Sequence, residues 1–189
     1  MRITGGTLRG RNLATPRDDR VRPTSDKVRQ AIFNVLMHND FGSGFSLDGA
    51  KVADIFAGTG ALGVEALSHG AAFCLFVDDS AESRGIIREN VEAFGLTGVS
   101  KIWRRDATDL GPMNTGSGGP FDLIFLDPPY RKNLITPALT ALRDGGWLAG
   151  HCVLIAETAA DETLQIADGF EAQEPRLYGE TSVTILLRA

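Results

Sequence analysis

The 189-residue sequence has little of what disulfide frameworks and metal sites need. Its two cysteines, Cys74 and Cys152, lie alone in apolar runs, which indicates buried free thiols. The three histidines show no metal-ligand spacing, so we expect no metal site. No apolar run approaches the ~20 residues of a membrane span, and the N-terminus lacks a hydrophobic signal core. These absences favour a cytoplasmic protein, which we expect to be a monomer.

Alternating apolar strands and amphipathic helices predict an α/β fold. Its centre is expected to be a doubly wound, mostly parallel, seven-stranded Rossmann-like sheet. We expect a single domain over residues 1–189. It consists of a basic extension at 1–38, with a small glycine-bent β-hairpin and a helix, and a core at 51–189. Further predictions are a strand over 170–178 and a short helical piece at 160–167.

Residues 52–79 form one β-α-β unit around which the chain is organised. A predicted buried strand leads into the turn Ala57-Gly58-Thr59-Gly60, a helix follows, and a second apolar run ends at Asp78. Glycines let the backbone approach a ligand, and Asp78 can accept hydrogen bonds from two ribose hydroxyls. The spacing Gly58-x-Gly60-x-x-Gly63 leaves NAD and S-adenosylmethionine both open. Asp54 favours S-adenosylmethionine, because a carboxylate there suits the ammonium of a methionine moiety and repels a pyrophosphate.

The sharpest signal is Asp127-Pro128-Pro129-Tyr130, directly after a predicted buried strand at 121–126. Two prolines supply no N–H, so the carbonyls before them remain as acceptors facing a cleft. Asp127 and the Pro128 carbonyl can accept the two N–H bonds of a nucleobase amino group, which frees its lone pair for in-line attack on a sulfonium methyl. Tyr130 offers a flat ring on which a base can stack. We interpret Asp127, Pro128 and Tyr130 as catalytic.

The chain resembles the RsmD family of bacterial 16S rRNA guanine-N2 methyltransferases, within the class I S-adenosylmethionine-dependent fold. The resemblance spans nearly the full length and is carried by RITGGTLRGRNL (2–13), RPTSDKVRQAIFNVL (22–36), DIFAGTGALGVEALSHGA (54–71), DPPY (127–130) and YGETSVTILL (178–187). It implies transfer of one methyl group from S-adenosylmethionine to N2 of a guanine in 16S rRNA, leaving S-adenosylhomocysteine. The partner would be the 30S subunit or a late assembly precursor.

The resemblance also implies a cofactor site. Its methionine end would be lined by Asp54, Phe56, Gly58 and Gly60, its ribose held by Asp78, and its adenine flanked by Asp106 and Ala107. Many relatives have Glu and another residue where this chain has Asp78 and Asp79. We predict that Asp78 is the residue that reaches the ribose.

Charge is unevenly distributed along the chain. Residues 1–30 hold eight basic and three acidic side chains, for a net +5, and the other 159 hold 11 and 21, for a net −10. A basic arm on an acidic body favours a polyanionic partner. We predict RNA contacts by Arg9, Arg11 and Arg22, with Arg131 just beyond the DPPY turn.

Three other functions fit part of this pattern. A DNA or tRNA adenine or cytosine amino-methyltransferase would share every cleft residue, although the chain shows no added target-recognition domain. An NAD-dependent oxidoreductase would need a proton-transfer group, such as Tyr-x-x-x-Lys or a placed histidine, that the cleft motifs lack. The third is a non-catalytic RNA-binding factor in ribosome assembly, which the intact DPPY disfavours.

Overall fold

Apolar runs and amphipathic segments alternate in a three-layer α/β structure. The structure, a computed structural model, describes residues 1–16, 24–42 and 44–189, so Arg22 lies outside the described residues. In these ranges the helices are α1 (Asp26–His38), α2 (Ala61–Ser68), α3 (Ala81–Ala93) and α4 (Ile135–Asp144). The strands are β1 (Lys51–Ile55), β2 (Phe73–Val77), β3 (Ser100–Trp103), β4 (Phe121–Leu126), β5 (Leu148–Ala159), β6 (Phe170–Ala172), β7 (Arg176–Tyr178) and β8 (Thr181–Arg188).

The strands form one sheet in the order β3-β2-β1-β4-β5-β8-β6, with β7 also paired to β8. Neighbours among β1 to β5 pair in parallel, and β8 pairs with β5 in the antiparallel sense. The predicted mostly parallel, doubly wound sheet is therefore confirmed. It has eight assigned strands in the described residues where we predicted seven. The predicted strand 170–178 divides into β6 and β7, and Pro175 between them has no N–H to donate to β8.

The predicted helix at 160–167 is wrong, since this stretch is a turn followed by chain without regular secondary structure. Leu164 and Ile166 pack from it against the core. Side chains two residues apart point to different faces of a helix, so a helix would not bring both of them against the core. The sequence also predicts helices from a cap at Thr24 or Ser25 to about 38, over 61–69, from a cap at 79 or 80 to 94, and over 133–143. The four helices α1 to α4 begin and end within two residues of these bounds. In the described part of the chain no helix has the length and apolar character needed to cross a membrane.

Each face of the sheet carries its own core. On one face, Val52, Phe76 and Phe125 pack under α1, α2, α3 and the N-terminal segment, which we define as residues 1–13. On the other, β1, β4 and β5 pack under α4 and Trp147. Cys74 and Cys152 are buried and free, as predicted. The two-sided cover explains why these strands are almost continuously apolar.

The N-terminal segment docks on α2 through the carboxylate of Glu65. Its Oε1 accepts hydrogen bonds from the Thr4 N–H (2.8 Å), the Thr4 hydroxyl (2.6 Å) and the Gly5 N–H (2.8 Å). The fully buried Arg29 brings its Nε to 3.5 Å from Glu65 Oε2. Burial alone would raise the pKa of Glu65, but the His69 ring, with Nε2 3.6 Å from Oε1, and the hydrogen bonds from Thr4 lower it below its usual value. Glu65 therefore remains a buried anion that fixes the start of the chain.

Gly5 and Gly6 serve this docking. A Cβ at Gly6 would collide with the backbone carbonyl of Ser68, and one at Gly5 would lie 2.6 Å from His69 Nε2. The predicted hairpin is reduced to a single antiparallel bridge between Arg2 and Asn12. The glycines thus permit close approach to α2, where the sequence had indicated a bend between two strands.

The packing of α2 on β2 yields the first testable prediction. A Cβ at Gly63 would lie 2.6 Å from Cys74 Sγ and also collide with the Phe76 ring, whereas Gly85 in α3 faces open space. Gly63→Ala should therefore lower the free energy of unfolding by ~1–3 kcal/mol. Gly85→Ala, the matched control, should raise it by ~0.5–1 kcal/mol. Urea unfolding followed by circular dichroism measures both, and equal effects at the two positions would refute this account of α2 packing.

Candidate active site

A cleft of about 1100 Å³ opens at the carboxyl ends of β1, β2, β3 and β4. Parallel strands deliver their following loops to the same sheet edge, which is where ligands bind in such folds. Of the predicted site residues at these corners, all but Gly60 line this cleft. They are Asp54, Phe56, Gly58, Asp78, Asp106, Ala107, Asp127, Pro128 and Tyr130. Among the described residues no group of His, Cys, Asp or Glu is arranged to hold a metal ion.

The glycine turn after β1 is shaped by left-handed backbone. Gly58 and Gly60 have φ values of +56° and +76°, and Phe56 has +65°, a rare value for a residue with a side chain. A Cβ at Gly60 would lie 3.2 Å from the Phe76 ring. The buried Asn90 holds the turn from α3, donating through Nδ2 to the Thr59 carbonyl at 3.0 Å. This places strained, tightly held backbone where a ligand approaches.

Asn90 also joins the turn to the start of the chain. Its Oδ1 accepts from the Ala14 N–H at 2.7 Å, and its Nδ2 lies 3.2 Å from the Ala14 carbonyl. One amide side chain therefore bridges the end of the N-terminal segment to the glycine turn. No motif pointed to this residue.

Asp54, the last residue but one of β1, carries a buried carboxyl group and is 1% exposed. Its Oδ2 accepts a hydrogen bond from the Gly63 N–H in the first turn of α2, at 2.9 Å. Burial raises the pKa of Asp54 to about 8; the Gly63 bond opposes this shift, and the charge of Asp78 adds to it. A cation that enters the cleft would favour the ionised form of such an acid.

Asp78 is half-buried, while Asp79 is exposed. Asp78 Oδ2 accepts from the Gly58 N–H and Oδ1 from the Ser80 N–H, at 2.8 and 2.9 Å. Burial raises the pKa of Asp78, and these two hydrogen bonds lower it. Asp78 thus ties the end of β2 to the glycine turn.

The loop after β3 supplies the next part of the cleft wall, where Asp106 is exposed and Ala107 buried. Thr108 donates its N–H and hydroxyl to Asp106 Oδ1, at 2.8 and 2.7 Å, which lowers the pKa of Asp106. Thr108 thereby fixes the carboxylate in its ionised form at the cleft wall.

The strand register brings Asp127 and Glu157 together. Leu126 of β4 pairs with Ala156 of β5, so the residues that follow, Asp127 and Glu157, stand side by side. The hydroxyl of Thr24 lies between them, with Oγ1 at 2.8 Å from Asp127 Oδ2 and 3.0 Å from Glu157 Oε2. Burial raises the pKa of both acids, and the charge of Glu157 raises that of Asp127 further.

Tyr130 extends this network. Its hydroxyl donates to Glu157 Oε1 at 2.7 Å and lies 3.0 Å from Thr181 Oγ1. Burial raises the pKa of Tyr130 above its usual value, so the phenol stays protonated. The ring predicted to stack on a base is therefore held in place through its hydroxyl group. Pro128, buried beside it, also lines the cleft.

Sequence reasoning missed Thr24, Glu157 and Thr181. The sequence offers either Thr24 or Ser25 as the cap of α1, and Ser25 is the residue that caps the helix, by accepting from the Val28 N–H. Glu157 did carry a signal: it is an acid at the end of the apolar run 152–156, in a strand buried on both faces. Such a residue needs a partner, and the partner could have been sought among the other strand-end acids.

The predicted RNA-binding arginines lie in three different settings. Arg11 is exposed, but it donates to the Ala93 carbonyl at 2.9 Å and stacks over the Phe94 ring at the C-terminal end of α3. Arg9 is exposed on the N-terminal segment, and Arg22 falls outside the described residues. Arg131 beside the DPPY turn pairs with Asp161 at 2.8 Å. Its charge therefore has a local partner.

The strand order, the glycine turn and the acids at the strand ends define a class I methyltransferase. The same class is seen in the solved structures that this chain resembles. This chain superposes on the Escherichia coli protein yhhF with a TM-score of 0.80 at 26% identity. The match covers 100% of this chain and 97% of yhhF. For HI0767 of Haemophilus influenzae the TM-score is 0.77 at 26% identity, with 99% and 97% covered.

The sequence comparisons name the particular family. The family described as Conserved hypothetical protein 95 matches residues 1–187. Ribosomal RNA small subunit methyltransferase D of Escherichia coli K12 is 34% identical over 165 residues, covering 87% of this chain and 77% of the relative. YlbH of Bacillus subtilis is 32% identical over 186 residues, covering 98% and 97%. The chain belongs to this family, the RsmD family of methyltransferases.

The raised pKa of Asp54 yields a prediction about stability. An aspartate whose pKa rises from 3.8 to about 8 on folding contributes stability in acid, and that contribution is lost as the pH rises towards 8. Asp54→Asn keeps an acceptor for the Gly63 N–H and does not titrate. Its free energy of unfolding relative to wild type should therefore increase between pH 5 and 8, by at most ~1.4 kcal/mol per pH unit.

Urea unfolding at several pH values measures this difference. Asp79→Asn, which changes an exposed carboxylate of the same cleft, is the matched control. A difference for Asp54→Asn that stays constant from pH 5 to 8 would contradict the assigned pKa.

Proposed function

We propose that this protein transfers a methyl group from S-adenosylmethionine to the N2 amino group of a guanine in 16S rRNA of the small ribosomal subunit. The observation that carries the proposal is the shared cleft. The Asp127-Pro128-Pro129-Tyr130 turn after β4 lines the same cavity as the glycine turn after β1. One turn suits a nucleobase amino group and the other a nucleoside cofactor.

The residues present fit a cationic nucleoside. Asp54 and Asp127 are acids with raised pKa values that face this cleft, and no basic side chain of the described residues forms an ion pair with either of them. A ligand that carries a sulfonium and an ammonium would supply the missing positive charge. When bound, S-adenosylmethionine provides an activated methyl group on that sulfonium. Asp54, Phe56, Gly58 and Gly60 would hold its methionine end, Asp78 its ribose, and Asp106 with Ala107 its adenine.

The DPPY turn would prepare the nucleophile. An exocyclic amino group reacts poorly because its lone pair is delocalised into the ring. Asp127 and the Pro128 carbonyl would accept its two N–H bonds and draw the nitrogen towards tetrahedral geometry. Positioning and polar complementarity then supply most of the rate acceleration. Tyr130 would stack on the base.

The choice of substrate rests on the relatives. Those named Ribosomal RNA small subunit methyltransferase D align with 87% of this chain in Escherichia coli and 96% in Haemophilus influenzae. The cleft chemistry alone would also serve an adenine or cytosine amino group in DNA or tRNA. The test therefore has to include those substrates.

Labelled methyl transfer tests the proposal. Purified protein and labelled S-adenosylmethionine are incubated with 30S subunits from cells that lack this protein, and with DNA and tRNA in parallel. We expect label in 16S rRNA at one guanine N2, located by nuclease digestion and mass spectrometry. Asp127→Ala should lower the rate by at least ~100-fold while calorimetry shows unchanged cofactor binding. Asp127→Asn keeps one acceptor oxygen, so its rate of methyl transfer should lie between those of wild type and Asp127→Ala.

Three outcomes would contradict the proposal. Calorimetric binding of NAD with no response to S-adenosylmethionine or S-adenosylhomocysteine would indicate an oxidoreductase. Label only in DNA or tRNA would exclude the rRNA assignment. Near-normal transfer by a folded Asp127→Ala variant would remove Asp127 from its proposed role.

RNA would be attracted by the basic N-terminal region. The Arg11 contact places part of this charge at the C-terminal end of α3, away from the cleft mouth. The residues that flank the stretch 17–23, Pro16 and Thr24, both line the cleft. We therefore propose that the arginines of residues 17–23 contribute more to RNA binding than Arg9 and Arg11 do. Arg9 and Arg11 would contact phosphates farther out.

Two groups of variants separate these contributions. Changing Arg17, Arg20 and Arg22 together to Gln should weaken 30S binding more than changing Arg9 and Arg11. Each lost phosphate contact should reduce the log–log salt slope by about one unit or somewhat less. The modified guanine should not change, because phosphate contacts carry little sequence information. The control is Lys51→Gln, which removes an exposed cation at the amino ends of the strands, opposite the cleft. Salt slopes equal to wild type in both groups would exclude the arm from RNA binding.

A further inference from the structure

Thr24, Tyr130, Glu157 and Thr181 form a hydrogen-bond network with Asp127. This network has more contacts than its hydroxyl groups have protons. Thr24 Oγ1 approaches Asp127 and Glu157, and Tyr130 Oη approaches Glu157 and Thr181, which makes four contacts of 2.7–3.0 Å. The three hydroxyl groups provide three protons. Tyr130 donates to Glu157 Oε1 and Thr181 to Tyr130, which leaves Thr24 one proton for two carboxyl groups.

A fourth proton on the acids completes the network. If Glu157 carries it on Oε2, Glu157 donates to Thr24 and Thr24 donates to Asp127. If Asp127 carries it on Oδ2, both bonds reverse. The two arrangements differ only by a concerted shift of protons through the Thr24 hydroxyl, with no change in net charge. Thr24 and Glu157 are 8% and 3% exposed, so solvent does not readily replace either bond.

We propose that Glu157 is a positioning residue that keeps Asp127 ionised for methyl transfer, by holding their common proton through the hydroxyl group of Thr24. This inference rests on the proposed function and deepens it. Glu157 is the more enclosed acid, because Asp127 is only half-buried at the cleft. A cation in the cleft therefore stabilises the anion on Asp127 and drives the proton to Glu157.

Without a cation the surrounding charges favour the common proton on Asp127, because the charge of Arg29 favours the ionised form of Glu157. The shift of the proton to Glu157 therefore depends on a cation in the cleft. Asp54 faces Asp127 from β1, and its charge opposes ionisation of Asp127 while the cleft holds no cation. Arg29 reaches the network from α1, donating through Nη1 to the Thr24 carbonyl at 2.7 Å. This bond fixes the backbone of Thr24 and orients its hydroxyl. Tyr130 donates to Glu157 Oε1, which leaves Oε2 for the common proton.

Methyl transfer conserves charge over the reacting atoms. Asp127 Oδ1 accepts no hydrogen bond from the described residues and would receive a substrate N–H. The amino nitrogen forms a bond to the methyl carbon as the carbon–sulfur bond breaks, so the nitrogen becomes positive and the sulfur neutral. The nitrogen then loses a proton to Asp127 Oδ1, while the common proton stays on Glu157. Asp127 releases its new proton to solvent when the product leaves.

The proton count can be measured without activity. Infrared difference spectroscopy of the free protein near pH 7 reports protonated carboxyl groups, and Asp54→Asn identifies the contribution of Asp54. We expect one further protonated carboxyl in wild type. Glu157→Gln donates an amide proton to Thr24 and imitates protonated Glu157, so this signal should vanish. Asp127→Asn should remove it as completely. A signal that persists in Glu157→Gln, or is absent from wild type, overturns the proposal.

Single-turnover methyl transfer tests the consequence for the rate. Thr24→Val removes the hydroxyl at nearly constant volume and should lower the rate at least ~10-fold with cofactor affinity unchanged. Thr24→Ser should recover most of that loss. Thr184→Val, the same change at another buried threonine, is the control. If Thr24→Val retains the wild-type rate and pH profile, the relay is refuted. If wild type methylates no RNA, the proposed function fails, while the infrared measurement still decides whether the two acids share a proton.

Discussion

Burial of three carboxyl groups on one side of a sheet is the constraint on which the site depends. Asp54, Asp127 and Glu157 lie at or near the carboxyl ends of neighbouring strands, and burial raises the pKa of each. The protein stabilises them with a backbone N–H and hydroxyl groups, while Arg29 contacts the network only from behind. Such an arrangement leaves negative potential directed into the cleft. Such a potential would favour a positively charged ligand over an anionic one.

The start of the chain is a structural part of this site as well as a basic surface. Glu65 holds Thr4 and Gly5, Asn90 holds Ala14 beside the glycine turn, and Thr24 reaches between two acids. The N-terminal segment therefore contacts the same helices that carry the ligand-binding loops. Its glycines and its arginines have separate tasks, since Gly5 and Gly6 permit docking and the charges remain available to a partner.

Local patterns in the sequence predicted the elements but not the contacts between distant ones. The apolar run that forms β4 has its predicted bounds, 121–126, and the glycine turn and DPPY lie at the predicted strand ends. The Asp127–Glu157 pair depends on the register of β4 with β5, which no periodicity encodes. The roles of Gly5 and Gly6 depend on the surface of α2, 60 residues away. Their spacing equally suits a hairpin bend, so only the tertiary contact distinguishes the two.

The reach of Thr24 has a consequence for how the protein becomes functional during synthesis. Its two hydrogen bonds close over 103 and 133 residues of chain. A nascent chain that has exposed only the β-α-β unit would possess the glycine turn, but Asp127 and Glu157 would still be missing. Contacts of such long range form late, because chain closure must precede them. The protein therefore acquires its glycine turn before the contacts of Thr24 with Asp127 and Glu157, and incomplete chains would lack this network even where they are folded.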